Sequence, residues 1–324
     1  MKTKKLKKRS FVGAIALLVI SAITLTTSTF AWFSMGKEAK IETMELTVSS
    51  SDGFEISANA DLNGWTSTLT PAEIFNLSEG DRNFTTKDSY MVADVDTNYL
   101  PAMLKPVSCA FGGNTADFYS SNFAAGSTEG PISQTTGGQD AADAAGFVAF
   151  DLYIKSGFAA EQNLYFNQSE FVEADNNATL DKHAISALRV AFAYYGSNAD
   201  AATAKGLTTM QSAVVYEPAS TVASDGSTKA AETTYYVNGA GTGLTKAAKT
   251  FAQSNSNIVA SSAREVADND ANNQYITVQP GINKFRVFIW VEGNDMDCID
   301  DIASDELSAT FRFLTTADAT PEIP

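Results

Sequence analysis

The sequence predicts an all-β fold, a β-sandwich of jelly-roll type with long loop insertions and few short helices. Many short segments alternate apolar and polar residues, and clusters of Ser, Asp, Asn and Gly separate them. Alternation with a period of two is typical of half-buried strands, and hardly any stretch has helical periodicity. The length of 324 residues suits one large domain or two modest ones. We expect a single sandwich domain over residues 32–324.

The first two strands are predicted at residues 41–48 and 54–58. Apolar residues alternate with polar ones in both segments, and a Ser/Asp/Gly turn lies between them. Two alternating segments joined by such a turn predict a β-hairpin.

A short helix is predicted at residues 71–77. Thr70 can act as its N-cap, Pro71 suits the first helical position, and Glu73 completes a pair that resembles a capping box. The segment that follows, as far as Cys109, has irregular strand character. Its prolines favour edges and corners of a sheet over a central position.

The strongest strand patterns lie in the second half of the chain. Clusters of Asn, Asp or Gly bound several of these segments, and two near the C-terminus are long and aromatic. They predict six strands of the sandwich, at residues 147–155, 164–166, 185–195, 275–278, 284–291 and 307–314.

Two regions differ from the rest in composition. Residues 112–146 and 196–271 are rich in Gly, Ser, Thr and Ala, and they have little periodicity. We predict that the first region is a long surface loop or insertion, in which core residues are not expected. The second is predicted to be an insertion of decorated loops with short strands at residues 213–216 and 234–237, which could form a small subdomain or a wall over the sandwich.

The N-terminus has the pattern of a secretory signal peptide. Six of the first nine residues are Lys or Arg, an apolar run follows at residues 11–20, and a Thr/Ser-rich tail leads to Ala31 and Trp32. We expect residues 1–31 to be removed by a signal peptidase between Ala31 and Trp32. A retained anchor is the alternative, although the apolar run is shorter than the about 20 residues that a spanning helix needs.

The cleavage junction carries a family resemblance. Residues 29–34 read Thr-Phe-Ala-Trp-Phe-Ser, and an amphipathic strand pattern begins within a dozen residues. This arrangement resembles proteins exported through the SipW-type signal peptidase of Gram-positive bacteria, a group that includes the TasA and camelysin family of matrix-fibre proteins. A second similar run lies at residues 287–298. The resemblance implies a protein that is secreted or held at the cell surface of a Gram-positive-type bacterium.

The charge of the chain excludes several classes of partner. The full chain has a formal net charge of −16. Residues 1–31 hold six basic residues and no acidic ones, so cleavage would leave 16 basic and 38 acidic residues and a charge of −22. Nucleic acids and anionic membranes need a basic surface, which this chain lacks. Contact with a membrane is therefore expected only through the signal peptide, before its cleavage.

The residue counts do not favour an enzyme. The chain has one histidine, His183, whereas a zinc protease of the His-Glu-x-x-His type needs two. Camelysin is often labelled a metallopeptidase, and the resemblance does not carry that activity here. Neither a nucleophile turn of the Gly-x-Ser-x-Gly type nor a phosphate-binding Gly-rich loop is present. We interpret His183 as an ordinary loop residue and predict no catalytic residues.

Two further sets of residues leave alternatives open. Cys109 and Cys298 could form one disulfide bridge in an exported protein, or they could be two buried small hydrophobes. The acidic cluster near Asp295, Asp297 and Asp301 offers carboxylate oxygens for calcium. The alternative is a short helix with Asp295 as its N-cap, from which Cys298 faces inward. No other cofactor is expected.

The function expected from these observations is that of a structural subunit of an extracellular fibre or a biofilm-type matrix. Cleavage would expose a segment that begins with Trp32, Phe33 and Met35 and continues into the strand from residue 41. Such a segment can add to an open sheet edge of another copy, which gives a homopolymer. The resemblance implies the same, because subunits of the TasA family are joined by strand donation. The alternative is a monomeric surface protein that binds carbohydrate or a divalent cation.

Overall fold

The computed structural model confirms the all-β class. It describes residues 40–47, 53–60, 64–70, 73–74, 107–112, 115–123, 131–136, 147–167, 169–173, 184–219, 233–238, 244–249, 263–267, 270–293, 295, 298 and 306–315. The strands are β1 (Lys40–Thr47), β2 (Phe54–Ser57), β3 (Thr68–Leu69), β4 (Val107–Gly112), β5 (Thr115–Phe123), β6 (Pro131–Thr136), β7 (Phe147–Ser156), β8 (Gln162–Tyr165), β9 (Glu170–Glu173), β10 (Leu188–Asn198), β11 (Ser212–Glu217), β12 (Thr233–Asn238), β13 (Leu244–Lys249), β14 (Ala263–Ala267), β15 (Tyr275–Val278), β16 (Gly281–Val291) and β17 (Glu306–Arg312). The helices that lie wholly within the described residues are α1 (Ala201–Lys205) and the 3-10 helices Ala184–Ala187 and Ala271–Asn273.

A six-stranded sheet in the order β14-β11-β10-β16-β7-β2 forms the centre of the molecule. Its middle strands β10, β16 and β7 are long and pair antiparallel, from Leu188 opposite Val291 to Asn198 opposite Ile282 in the β10–β16 ladder. In β7, eight successive residues from Phe147 onward are buried. Burial without alternation means that both faces of this sheet are covered.

The two faces of the central sheet belong to two separate hydrophobic cores. Successive side chains of a strand point to opposite faces. In β16, Val287 and Ile289 therefore join the first core, whereas Phe288 and Trp290 join the second. Strand β10 divides its apolar residues between the cores in the same alternating way. The protein is thus a β-sandwich of three layers.

The first core is covered by the sheet β3-β1-β17-β9 and by the two-stranded ribbon β8–β15. Phe311 of β17 and Phe313 beyond it are fully buried there. The ring of Phe311 meets that of Phe192 from β10 edge to face, with centroids 5.7 Å apart. The ribbon adds Leu164 and Ile276. Aromatic contacts of this kind stabilise packing beyond the burial of area alone.

The second core corrects the prediction for residues 112–146. The sheet β4-β5-β6 covers this face of the central sheet. Phe118 of β5 is fully buried, and its ring stacks on that of Phe147 with centroids 3.9 Å apart. The prediction that this region is a surface loop without core residues is therefore wrong for β5. A strand needs apolar residues on one face only, and here Ala116 and Phe118 are enough.

The region 196–271 also differs from its prediction as a decorated insertion. The strands predicted at residues 213–216 and 234–237 are confirmed as β11 and β12. However, β11 pairs with β10, and β14 pairs with β11, so both strands extend the central sheet. Strand β12 pairs with β13 in a hairpin.

The hairpin predicted for the first two strands is wrong. Both strands exist, but β1 pairs in parallel with β17, and β2 pairs with β7 in the central sheet. The two strands therefore lie in different layers. Gly53, which precedes β2, has φ +95 and can adopt this conformation because it lacks Cβ. The pairs β1–β17 and β11–β14 are parallel, and the jelly-roll arrangement stays a prediction.

The start of the predicted short helix has the expected capping box. The Thr70 amide and hydroxyl both donate to Glu73 Oε2 at 2.8 Å, and the Glu73 amide donates back to Thr70 Oγ1 at 3.4 Å. Glu73 and Ile74 are helical, and Ile74 is buried in the first core. The rest of the predicted range lies outside the described residues.

Candidate functional site

The candidate polymerisation site is the sheet that the N-terminal segment enters. The cleavage site at Ala31 and Trp32 and the donor residues Phe33 and Met35 lie outside the described residues, which begin at Lys40. From Lys40 the chain runs directly into β1, the second strand of the sheet β3-β1-β17-β9. The segment proposed as a donor is therefore attached to a strand inside a sheet.

Pairing within the chain limits how long a donor segment can be. Strand β1 pairs with β17 along its whole length, from Lys40 opposite Glu306 to Thr47 opposite Arg312. The expected continuation of the donor into the strand from residue 41 therefore needs correction, because those residues already form a sheet in their own chain. Only residues before Lys40 are therefore left to pair with a sheet of another copy.

The other edge of β1 is only partly covered. Strand β3 has two residues, and it pairs with β1 only at Leu46 and Thr47. Among the residues that the structure describes, no strand pairs with residues 40–45 of β1 on that side. An edge of this kind presents backbone N–H and C=O groups to an incoming strand.

The acidic cluster after β16 is partly engaged in a buried ion pair. Asp295 Oδ2 accepts a hydrogen bond of 2.7 Å from Arg189 Nη2, and both side chains are fully buried. Arg189 Nη1 also lies 3.4 Å from Glu217 Oε1, and Glu217 is fully buried too. One guanidinium thus joins carboxylates from β11 and from the turn after β16. Burial of two carboxylates beside one cation requires this pairing, because an unpaired charge is very costly to bury.

This arrangement changes the interpretation of the calcium candidates. Asp295 has its carboxylate turned to Arg189, and the amide of Cys298 donates to the backbone oxygen of Asp295 at 3.0 Å. Asp297 and Asp301 lie outside the described residues, as does His183. Within the described part of the chain, no three acidic, His or Cys side chains form a group that could hold a metal.

Sequence reasoning missed Arg189 and Glu217 because their partner lies far along the chain. Arg189 and Asp295 are separated by 106 positions. The signal in the sequence was Arg189 itself, a charged residue in an otherwise apolar strand. A charged side chain is rarely buried without a partner. Such a residue indicates that a buried ion pair exists, but it does not show which carboxylates form the pair.

The structure contains Cys109 and Cys298 as thiols, not as a disulfide. Both are fully buried, Cys109 in the second core and Cys298 in the first. The bridge, one of the two alternatives that the sequence left open, is therefore not formed here, because the two residues belong to cores on opposite faces of the central sheet. Their packing fits the alternative of two buried small hydrophobes.

A second buried ionic group lies on the face of the second core. Arg286 Nε donates to Asp151 Oδ1 at 2.7 Å, and Lys284 Nζ lies 3.5 Å from Asp151 Oδ2. Lys284 Nζ also donates to the backbone oxygens of Lys205 and Leu207 at 3.0 and 2.7 Å. Burial lowers the pKa of Lys284, and the charge of Asp151 opposes that shift. These contacts tie α1 and the loop after it to the central sheet.

Comparison with protein-family models, curated proteins and solved structures finds no match for this chain. Among the described residues, no helix is long and apolar enough to cross a membrane.

Proposed function

We propose that this chain is an exported structural subunit of an extracellular fibre or biofilm-type matrix. Subunits would polymerise when the N-terminal segment of one copy adds to a sheet edge of the next. The observation that carries this proposal is the edge of β1 at residues 40–45, which no strand in the described part of the chain pairs with on the side of β3. The donor segment is attached to that same strand, so each copy has a donor and an acceptor in one sheet.

The energetics of strand addition favour this contact. Each main-chain hydrogen bond contributes about 1 kcal/mol net. Burial of Trp32 or Phe33 adds about 1.5 to 3 kcal/mol for each side chain. Because donor and acceptor surfaces differ, the contact is heterologous and repeats into an open filament.

In this proposal, removal of the leader during export determines when polymerisation begins. In the cytoplasm, the basic and apolar leader precedes Trp32. A signal peptidase that cuts after Ala31 would free the donor segment only outside the cytoplasm. The resemblance of residues 29–34 to SipW-dependent proteins supports this order of events. The mature chain would then act at the cell surface or in the surrounding matrix of a Gram-positive-type bacterium.

The test compares the mature chain from Trp32 with a variant that lacks residues 32–39. We expect the mature chain to form filaments under the electron microscope, and the shortened variant to remain monomeric. The shortened variant should fold normally, because β1 begins at Lys40. A mature chain that stays monomeric at high concentration would refute the proposal, and so would filaments formed by the shortened variant.

The acceptor edge is tested by cross-linking in the same assay. A chain with Phe33→Cys and Thr43→Cys should form a ladder of disulfide-linked oligomers, because the donor of one copy lies along the edge of the next. The native cysteines are buried and will not interfere. A matched chain with Phe33→Cys and Thr208→Cys should give no ladder, because Thr208 lies in an exposed loop away from β1.

A further inference from the structure

A cleft of about 440 Å³ lies on the face of the central sheet that is directed to the first core. Its floor contains Ser212, Tyr194 and Phe285, which are successive cross-strand neighbours in β11, β10 and β16. The rings of Tyr194 and Phe285 are 5.1 Å apart and tilted by 40°. Aromatic side chains therefore form most of the floor, and Ser212 makes one end of it polar.

Residues of β15 form one wall of the cleft, and Arg264 of β14 packs against this wall and holds it in place. Arg264 of β14 lies over the ring of Tyr275, with its guanidinium carbon 4.1 Å from the ring centroid. The Arg264 side chain also donates to the backbone oxygens of Asn273 and Tyr275. Burial lowers the pKa of Arg264, and Asp270 opposes the shift. Two of its nitrogens are held by these backbone oxygens, so the half-buried Arg264 side chain fixes the position of the wall.

The remaining polar groups of the cleft are neutral. Gln211 and Ser212 are exposed, and Thr277 and Gln279 are half-buried. Gln211 has one weak side-chain hydrogen bond, of 3.4 Å from Nε2 to the Tyr195 oxygen. Its Oε1 atom and the Ser212 hydroxyl have no protein partner among the described residues. They are available to a ligand that both donates and accepts hydrogen bonds.

We infer that this cleft binds a pyranose ring of a neutral polysaccharide. Such a ring has an apolar C–H face that can pack on the half-buried ring of Tyr194, which the buried ring of Phe285 supports from within the core. It also has a rim of hydroxyl groups that can pair with Gln211 and Ser212. The cleft volume lies in the usual range for small-ligand sites, about 300 to 1,000 Å³. This site does not depend on polymerisation, although a matrix subunit that also holds polysaccharide would connect two components of the matrix.

The charge of the molecule excludes the main competing ligands. An anionic ligand would meet a chain with a net charge of −16, and Arg264, the one cation among the described lining residues, has two of its nitrogens bonded to backbone oxygens. A ligand with an ammonium group would need a carboxylate, and none of the described lining residues is acidic. Glu161 lies beside the lining residue Gln279, but its carboxylate already accepts a hydrogen bond from the Gln279 amide. A purely apolar ligand would leave Gln211 and Ser212 unpaired, which costs binding energy.

The test measures binding of the mature chain to neutral oligosaccharides by calorimetry and by a glycan array. The probes are oligomers of glucose, galactose, mannose and N-acetylglucosamine. We expect one of these series to bind, with an affinity of about millimolar for a single ring and tighter binding for longer oligomers. An array signal restricted to acidic sugars, or no binding to any neutral series, would overturn the inference.

Variants locate the site in the cleft. Ser212→Trp fills the polar end of the floor and should weaken binding roughly tenfold or more. The matched variant Thr208→Trp adds the same side chain at an exposed position that does not line the cleft, and it should bind normally. Gln211→Ala removes one hydrogen-bond partner and should weaken binding about fivefold, even if Ser212→Trp folds poorly. Unchanged binding in Gln211→Ala, or in a well-folded Ser212→Trp, would contradict this location.

Discussion

At the scale of single residues, the buried charges are the part of the structure that sequence analysis predicts least well. The acidic cluster after β16 suggested calcium ligands or a helix N-cap, and neither reading anticipates the ion pair that the carboxylate of Asp295 forms with Arg189. Arg189 stands in an apolar strand, where its neighbours give no indication of its partner. In contrast, the local pair Thr70 and Glu73 was predictable, because a capping box depends only on residues three apart.

Replacement of Arg189 should destabilise the protein strongly. Arg189→Met keeps the length of the side chain but leaves Asp295 and Glu217 buried without their cation. Removal of one partner from a buried ion pair costs about 3 to 5 kcal/mol. Urea unfolding followed by circular dichroism measures the change.

The matched control is Lys155→Met. Lys155 pairs with Glu55 at 2.6 Å, but both side chains are nearly half exposed. Exposed ion pairs contribute about 1 kcal/mol or less, so this variant should unfold almost like the original protein. Equal stability of the two variants would show that the Arg189 pairs do not stabilise the fold.

At the scale of elements, period-two alternation located most of the strands but not their partners. The predicted strand at residues 275–278 coincides with β15, and that at 147–155 falls one residue short of β7. The partners were missed because pairing depends on contacts far apart in the chain, as in the parallel pair β1–β17. Strand β5 was missed because its composition is that of a loop, although two of its side chains are buried.

Strand β5 should be required for stability if the second core is integral to the fold. Phe118→Ala removes a fully buried ring that contacts Phe147 and Trp290. Loss of a buried Phe side chain costs about 3 to 5 kcal/mol, because a cavity remains. Phe158→Ala serves as the control, since Phe158 is only partly buried, and it should cost clearly less. Thermal unfolding of both variants measures the difference, and equal losses would contradict a packed second core.

At the scale of the whole molecule, the protein combines a sheet that is covered on both faces with a strongly acidic composition. The three layers were not predictable from the sequence, because alternation does not show which strands pair, and because β5 and β6 of one outer layer lie in a region with little alternation. The charge was predictable at once, and it has a physical consequence for assembly. If the chain is cleaved after Ala31 as proposed, each copy carries a formal charge of −22, and the proposed strand addition must overcome the repulsion between copies.

Salt should therefore accelerate polymerisation of the mature chain. The Debye length falls from about 30 Å at 0.01 M salt to about 3 Å at 1 M, which removes most of the repulsion between approaching copies. Light scattering should show a shorter lag and faster growth in 0.5 M NaCl than in 0.01 M NaCl. The variant without residues 32–39 should show no growth at either concentration.

A comparison of two salts separates charge screening from hydrophobic association. Sodium sulfate strengthens apolar burial in addition to screening charge. If repulsion limits assembly, sodium chloride and sodium sulfate at equal ionic strength should accelerate growth to a similar extent. A much larger effect of sulfate would mean that burial of Trp32 and Phe33, and not charge, controls the rate. Growth of the shortened variant in either salt would mean that association proceeds through surfaces other than the donor segment.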